Sequence, residues 1–373
     1  MRNRSITLRK GKAGFSLLEL MVAMAVFLVI GGAAVSLVST HGKLSNQTQG
    51  QVNLTMGLRN AVAMMELDAS NAGAGFFVTG SNPADWPIGI TLVNQPPGAA
   101  CNNAATFTFG ANCFDTLNII TTDSTVGAVH PVADVNVHTA TTVQVAPPLG
   151  TTATAFAALF KNGDELLWLK PGSPKSSLTT TTLTADGTVA GANVQLSFTS
   201  TDTAGINNSE SYLITKGLGT DPGDSAPPLT TSFAAATDWI LRLNAVQYSI
   251  DLTDPTNPKL MRKQGTQNLA AGKGDVVAEQ IIGFRVGASI RHASIDQPYS
   301  FNVNGPTISS GCTQNCGYSG DWTEIRSVRV SLIGRTTPNQ DGADQFRNSF
   351  DNGPYRIQGI SVTINPRNLS MND

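Results

Sequence analysis

A long apolar stretch near the N terminus, residues 14–39, limits what this chain can fold into. No charged residue occurs between Leu20 and Ser39. At about 1.5 Å per residue, roughly 25 residues form a helix of about 37 Å, which exceeds the ~30 Å hydrocarbon core of a bilayer. The residues before this stretch contain no acid and five cations: Arg2, Arg4, Arg9, Lys10 and Lys12. This charge asymmetry predicts a cytoplasmic N terminus and a remainder that crosses the membrane.

Glu19 is the exception within the apolar stretch. A carboxylate in a membrane-spanning segment costs about 2.5–3.5 kcal/mol on insertion scales, so its usual interpretation is functional, with a partner elsewhere. The alternative is a carboxylate near the interface that merely interacts with the positive end of the helix dipole. Position alone leaves both interpretations open.

Residues 14–20 read GFSLLEL and resemble the processing motif of type IV prepilins. The resemblance covers a short basic leader, Gly14 at the cut, Phe15 after it and Glu19 as the fifth mature residue. A general secretory signal is instead cut after its apolar region. The resemblance implies that a prepilin peptidase cleaves between Gly14 and Phe15 and methylates the new Phe15 amine. It also implies that Glu19 pairs with the N-terminal amine of a neighbouring subunit in a filament.

The resemblance implies an α+β, type IV pilin-like fold, with a long N-terminal helix packed on a large β-rich domain. We expect four segments: a leader at 1–14, a transmembrane and polymerisation helix at 15–39, its amphipathic continuation at 40–75, and an extracytoplasmic β-rich domain at 76–373. A subdivision near 217–231 is possible.

The continuation of the helix is predicted from apolar or small residues that recur mostly three or four positions apart: Leu44, Thr48, Val52, Leu58, Val62, Met65 and Ala69. Glycines at positions 31, 32, 42, 50 and 57 each cost about 1 kcal/mol relative to Ala, which predicts local bends or melting. Residues 71–75, NAGAG, end the helix because Gly readily adopts the left-handed conformation after a helix.

Beyond Phe76, short β-type runs alternate with turn-forming residues. The predicted strands are Ile88–Val93, Thr106–Phe109, Thr116–Thr121, Thr142–Val145, Glu165–Leu169, Val194–Thr199, Trp239–Ile250, Lys259–Lys263, Val276–Val286, Ile325–Gly334 and Tyr355–Ile364. Ser176–Thr182 and Gly217–Thr231 are predicted loops.

The C-terminal half resembles PilW-like minor pilins. The resemblance lies in Leu260–Lys263, Val277–Val286 and Trp322–Leu332, together with Met65–Asp68 running into Asn71–Gly73. The J-type minor pseudopilin of type II secretion shares much of this architecture and is the alternative.

Four cysteines, Cys101, Cys113, Cys312 and Cys316, form two pairs that are local in sequence. Translocation permits disulfides, and of three connectivities we favour Cys101–Cys113 and Cys312–Cys316 because short loops close most easily. A zinc site is the rival, but neither pair has the two-residue spacing of a zinc knuckle.

The sequence contains no catalytic constellation, so we expect neither an enzyme nor a cofactor or metal. His130 and His138 lie eight residues apart, too far for a helical zinc pair. The acid pairs Asp251/Asp254 and Asp341/Asp344 lack EF-hand spacing and indicate solvated turns. Without the leader, 19 cations face 26 acids, so no nucleic acid is expected as a partner except in DNA uptake.

The resemblance implies a minor pilin in type IV pilus assembly and twitching motility, as a priming or tip subunit. A tip adhesin or DNA-uptake module and an anchored enzyme are the other classes. The expected partners are prepilin peptidase, other minor and major pilins, the membrane and, indirectly, the inner-membrane platform and assembly ATPase. The subunit would cross the inner membrane once, with its C-terminal domain periplasmic, and then reach the pilus at the cell surface.

Overall fold

The computed structural model of the chain describes residues 16–75, 89–95, 102–103, 106–171, 177–200, 231–264, 274–292, 295–296, 299, 301, 325–337, 347–350 and 352–367. The chain divides into two compact units, Met1–Asn53 and Leu54–Asp373.

One long helix, α1, runs without interruption from Leu17 to Ser70. Gly73 and Gly75 follow it with φ angles of +75° and +86°, and this left-handed backbone ends the helix as predicted. The predicted melting at the internal glycines is wrong. A single glycine costs about 1 kcal/mol, less than leaving backbone groups unpaired in an apolar environment.

The buried face of α1 begins at Leu54 and consists of Leu54, Leu58, Ala61, Val62, Met65 and Ala69. The predicted apolar stripe is therefore buried from Leu58 onward, as expected, whereas its earlier residues are exposed. Leu44 and Val52 are 54% and 50% exposed. Thr48 is exposed too, and its hydroxyl donates to the Leu44 carbonyl one turn earlier.

The remaining described residues are mainly β-strands. In chain order these are β1 (Ile90–Val93), β2 (Asn102–Asn103), β3 (Thr108–Phe109), β4 (Thr116–Thr122), β5 (Ala128–Val129), β6 (Val135–Asn136), β7 (Thr142–Val145), β8 (Glu165–Lys170), β9 (Ser177–Thr182), β10 (Thr188–Ala190), β11 (Asn193–Ser197), β12 (Ser232–Phe233), β13 (Trp239–Asp251), β14 (Lys259–Gln264), β15 (Asp275–Glu279), β16 (Ile281–His292), β17 (Ile295–Asp296), β18 (Ile325–Arg335) and β19 (Ile357–Ile364). A short helix, α2 (Ala153–Ala157), precedes β8.

Two antiparallel sheets organise the β-rich part. The larger has the order β1-β4-β13-β14-β15, and β5 and β8 pair with the other end of β13 while β9 pairs with β8. The second has the order β17-β16-β18-β19. Alternation along β18 buries Val328, Val330 and Leu332 fully, as predicted. The fold is thus α+β, with a long helix and a β-rich domain.

The β-rich part contains two hydrophobic cores. The first core joins the buried face of α1, from Leu54 onward, to residues of both large sheets. The second core lies around Trp168 and Phe160 and is built from residues 126–198 together with Phe233 and Ile240. Strand β13 contributes to both cores, because its first residues pair with β8 and its later residues with β4 and β14.

Two sequence predictions in this region are wrong. Ser176–Thr182 was expected to be a loop, but Ser177–Thr182 forms β9 against β8. Threonine is β-branched and suits a pleated strand, and Thr181 accepts a 2.8 Å hydrogen bond from Trp168 Nε1 in the core. The predicted strand Val276–Val286 is two strands, broken at Gln280, where φ is +57°. The predicted loop Gly217–Thr231 lies outside the described residues except for Thr231.

Candidate functional site

The N-terminal part of α1 is apolar and exposed. Within the described residues, α1 is the one helix long and apolar enough to cross a membrane, and none of its most apolar window is buried. Leu18, Phe27 and Val38 are among the large side chains on its surface. A continuous apolar surface of this size marks a membrane or protein interaction site. The N-terminal part of α1 is therefore a candidate membrane-spanning or helix-packing segment.

Glu19 lies in the first turn of this helix and caps it together with Ser16. The Ser16 backbone N–H donates to Glu19 Oε2 at 3.0 Å, and the Glu19 N–H donates to Ser16 Oγ at 3.3 Å. The Leu20 N–H donates to the Ser16 carbonyl, which is the first helical hydrogen bond. This reciprocal arrangement is a capping box. The role of Ser16 was missed in the sequence, although Ser followed three residues later by Glu is its signature.

Gly14 and Phe15 lie outside the described residues. Cleavage between them and methylation of the Phe15 amine therefore stay predictions.

Asp68, near the end of α1, joins the helix to the larger sheet. Its carboxylate accepts from Arg262 Nε at 2.7 Å, from Arg262 Nη2 at 3.1 Å and from the Tyr248 hydroxyl at 2.6 Å. Burial and the bond to Asp68 raise the pKa of Tyr248, and the bond to Asp68 raises the pKa of Arg262. Asp68 lies in the run Met65–Asp68 and Arg262 in the run Leu260–Lys263, so the fold brings together two runs that are far apart in the sequence.

A second carboxylate, Asp115, is fully buried and joins β16 to the start of β4. It accepts from the Val286 N–H at 2.9 Å, from Arg285 Nη1 at 3.0 Å and from Asn94 Nδ2 at 2.8 Å. The Gln95 N–H adds a fourth bond at 2.9 Å. A carboxylate with four donors around it has a structural role, because its lone pairs are already engaged.

Cys113 is buried and disulfide-bonded. Cys101, Cys312 and Cys316 lie outside the described residues, so the favoured pairings stay predictions.

Of the residues considered as metal ligands or catalytic groups, His130, His138 and Asp254 lie in turns or loops and Asp251 is the last residue of β13. His130 Nδ1 lies 2.8 Å from the Asp238 carbonyl, and its ring lies against that of Trp239 at a tilt of 41°, with centroids 3.8 Å apart. The His138 N–H donates to Asn136 Oδ1. Nothing in these contacts brings the two histidines together.

Asp251 and Asp254 each accept two hydrogen bonds from the threonine two residues later. The bonds to Thr253 lower the pKa of Asp251, and those to Thr256 lower the pKa of Asp254. Asp251 ends β13, and Asp254 lies in the connection to β14, where the sequence indicated a turn. Asp341 and Asp344 lie outside the described residues, and no group of three or more possible metal ligands occurs within the described ones.

Comparison with known proteins supports the interpretation of the N terminus. Residues 9–35 match the prokaryotic N-terminal methylation motif. No curated protein matches the chain. Among solved structures, a type IV-like pilin from Thermus thermophilus is similar at 10% identity, over 56% of this chain and 86% of that chain, with a TM-score of 0.19. A TM-score this low does not establish a common fold. The methylation motif thus makes the N terminus of this chain type IV prepilin-like.

Proposed function

We propose that the protein is a PilW-like minor pilin that takes part in type IV pilus assembly as a priming or tip subunit. The observation that carries the proposal is the methylation motif at residues 9–35, which ends inside an exposed apolar helix. A membrane-embedded prepilin peptidase would cleave between Gly14 and Phe15 and methylate Phe15. The role is structural and not enzymatic.

The same helix serves two environments in this proposal. It first anchors the subunit once in the inner membrane, with the basic leader in the cytoplasm and the β-rich domain in the periplasm. It then packs against the helices of other minor and major pilins in the filament. Lipid covers the apolar surface of the helix in the membrane, and other helices cover it in the filament. Because the helix must leave the bilayer between these states, the assembly ATPase would supply the work through the platform protein.

Glu19 would pair with the N-terminal amine of a neighbouring subunit. A carboxylate and an ammonium group that pair away from water are strongly interdependent, because removal of one leaves an uncompensated charge. Glu19→Ala should leave membrane insertion intact and lower incorporation into filaments. Glu66→Ala, at an exposed position of the same helix, is the matched control. Wild-type incorporation of Glu19→Ala would contradict this role.

N-terminal mass spectrometry of protein from membranes and from sheared filaments tests the proposal as a whole. We expect a chain that begins at methylated Phe15 in the filament fraction. The same terminus in membranes alone, with loss of exoprotein release on gene deletion, would identify a J-type pseudopilin instead. An intact leader would refute the processing.

For the cysteines we propose the pairs Cys101–Cys113 and Cys312–Cys316. Peptide mapping without reduction should show one cross-linked peptide for each pair. A peptide that links Cys113 to Cys312 or Cys316 would refute this connectivity.

A further inference from the structure

Strand β19 forms an open edge of the second sheet. Within the described residues it pairs with β18 alone, in one continuous register without a bulge. Its sequence, IQGISVTI, contains no charged residue and no proline. Natural proteins usually protect a sheet edge with charges, proline, bulges or short strands. Strand β15, at the edge of the larger sheet, is protected in this way, because it begins with Asp275, ends with Glu279 and shifts its register against β14.

The hydrogen-bonding groups of alternate β19 residues face away from β18. The Thr336 N–H donates to the Arg356 carbonyl at 2.9 Å, immediately beyond the ends of the two strands. Hydrogen-bonded pairs alternate in an antiparallel ladder, so the even-numbered residues of β19 bond to β18 and the odd-numbered residues point their N–H and C=O groups outward. Gly359, Ser361 and Thr363 are odd-numbered and exposed. They present a row of backbone donors and acceptors that a further strand can bind.

The first core is partly open to solvent at this edge. Val330 and Leu332 of β18 are fully buried. Val362 and Ile360 lie opposite them in β19 and pack against the same core, but they are only half-buried. A strand added to β19 would cover these two side chains if it carried apolar residues on the same face. The burial pattern therefore favours a partner segment in which apolar residues alternate.

A cation lies on the other face of the sheet at this edge. Arg329 is exposed, and its Nε donates to Ser361 Oγ at 3.0 Å, so its guanidinium extends from β18 toward β19. No carboxylate among the described residues forms an ion pair with it. The two terminal nitrogens of the guanidinium can therefore bind both oxygens of an incoming carboxylate. A second copy of β19 would instead bring two like charges together, which is unfavourable.

We propose that β19 is a docking site for an extended segment of a partner protein, which adds a further strand to the sheet and places a carboxylate beside Arg329. The segment has apolar residues opposite Ile360 and Val362 and polar or acidic residues on the exposed face. Backbone hydrogen bonds to the odd-numbered residues hold it, and Arg329 selects its charge. The site uses no residue of the methylation motif, so the inference goes beyond the proposed function and does not depend on it.

Two end-blocked synthetic peptides, TVTVEVTV and TVTVKVTV, test the proposal against the detergent-solubilised full chain. Fluorescence polarisation of the labelled peptides gives the two dissociation constants. We expect the glutamate peptide to bind about fivefold more tightly than the lysine peptide, the upper end of the effect of an exposed ion pair. Arg329→Glu should reverse the preference, which a general loss of stability would not do.

A backbone substitution tests whether the peptide binds as a strand. Thr363→Pro removes an N–H that points away from β18, so the sheet should still fold and peptide binding should be lost. Thr363→Val keeps the N–H and the branched shape, and it is the matched control that should bind like the wild type.

Hydrogen exchange, read by mass spectrometry at single-residue resolution, needs no substitution. In the free protein, the amides of Ser361 and Thr363 should exchange rapidly, and binding of the glutamate peptide should protect them. The amides of Ile360 and Val362 should exchange slowly in both states, because they bond to β18.

Several results would overturn the proposal. One is that neither peptide binds, and another is that a peptide binds without protecting Ser361 and Thr363. Equal preferences of the wild type and Arg329→Glu for the two peptides would also overturn it. Protection of the same amides without peptide, together with a dimer in analytical ultracentrifugation, would show that a second copy occupies the edge instead. Processing after Gly14 and filament assembly are read in separate assays, so the proposed function stands or falls independently.

Discussion

Removal of the Asp68 carboxylate should strongly destabilise the β-rich unit. In Asp68→Ala, Arg262 loses both of its bonds to the carboxylate, and the buried Tyr248 hydroxyl loses its acceptor. The side chains of Asp68 and Arg262 are each only 17% exposed, so water replaces the lost partner poorly. Breaking a fully buried ion pair from one side typically costs about 3–5 kcal/mol, and this pair is only partly buried. Arg262 retains its 2.8 Å bond to Gln264 Oε1, so we expect about 3 kcal/mol.

A surface ion pair in the same sheet provides the control. Lys259 Nζ lies 3.3 Å from Glu279 Oε1, and the two side chains are 34% and 56% exposed. Exposed pairs contribute about 0–1 kcal/mol, so Glu279→Ala should change the free energy of unfolding by less than 1 kcal/mol. Asp68→Asn keeps the shape and one acceptor oxygen, and it should give an intermediate loss.

Urea denaturation of the detergent-solubilised full chain, followed by near-ultraviolet circular dichroism, measures these free energies. In an Arg262→Met background, Asp68→Ala should lower the free energy of unfolding by clearly less than in the wild type, because no guanidinium is left without its carboxylate. If Asp68→Ala and Glu279→Ala cost the same, the reasoning from burial is refuted.

Two further predictions follow from Tyr248 and from the end of α1. The pKa of Tyr248 is raised above its ordinary value of 10.0, so its contribution to the free energy of unfolding is fully present below about pH 10 and is lost as the pH rises further. Denaturation at a series of pH values should show this decline for the wild type and a shallower decline for Tyr248→Phe. Equal declines for the two proteins would refute the idea. Gly75→Ala places a Cβ 1.8 Å from Thr122 Oγ1 at a φ of +86°, so it should cost at least about 2 kcal/mol. Gly57→Ala, with open space around its Cβ, should instead stabilise α1 by up to about 1 kcal/mol. The argument is refuted if the same denaturation assay gives both variants the same change in the free energy of unfolding.

Local sequence signals predicted most of the elements. The end of α1 at residues 71–75 was predicted correctly because glycine adopts the left-handed conformation there without help from other parts of the fold. Strands such as those predicted at Thr142–Val145 and Ile325–Gly334 were found because alternating apolar residues reveal a half-buried strand without knowledge of its partner. The loop prediction for Ser176–Thr182 failed because a run of threonines has no apolar alternation. Its strand character depends on pairing with β8 and on burial against Trp168.

The sequence alone determined the interpretation of the N terminus. Basic residues, Gly14, Glu19 and a long apolar stretch follow one another in an order that matches the N-terminal methylation motif at residues 9–35, so no tertiary contact is needed to recognise them. The tertiary structure decided which residues meet in the β-rich part. Asp68 and Arg262 are 194 residues apart, and Asp115 and Arg285 are 170 apart. Contacts over such separations depend on strand order and register, which the hydrophobic pattern of a single strand does not encode.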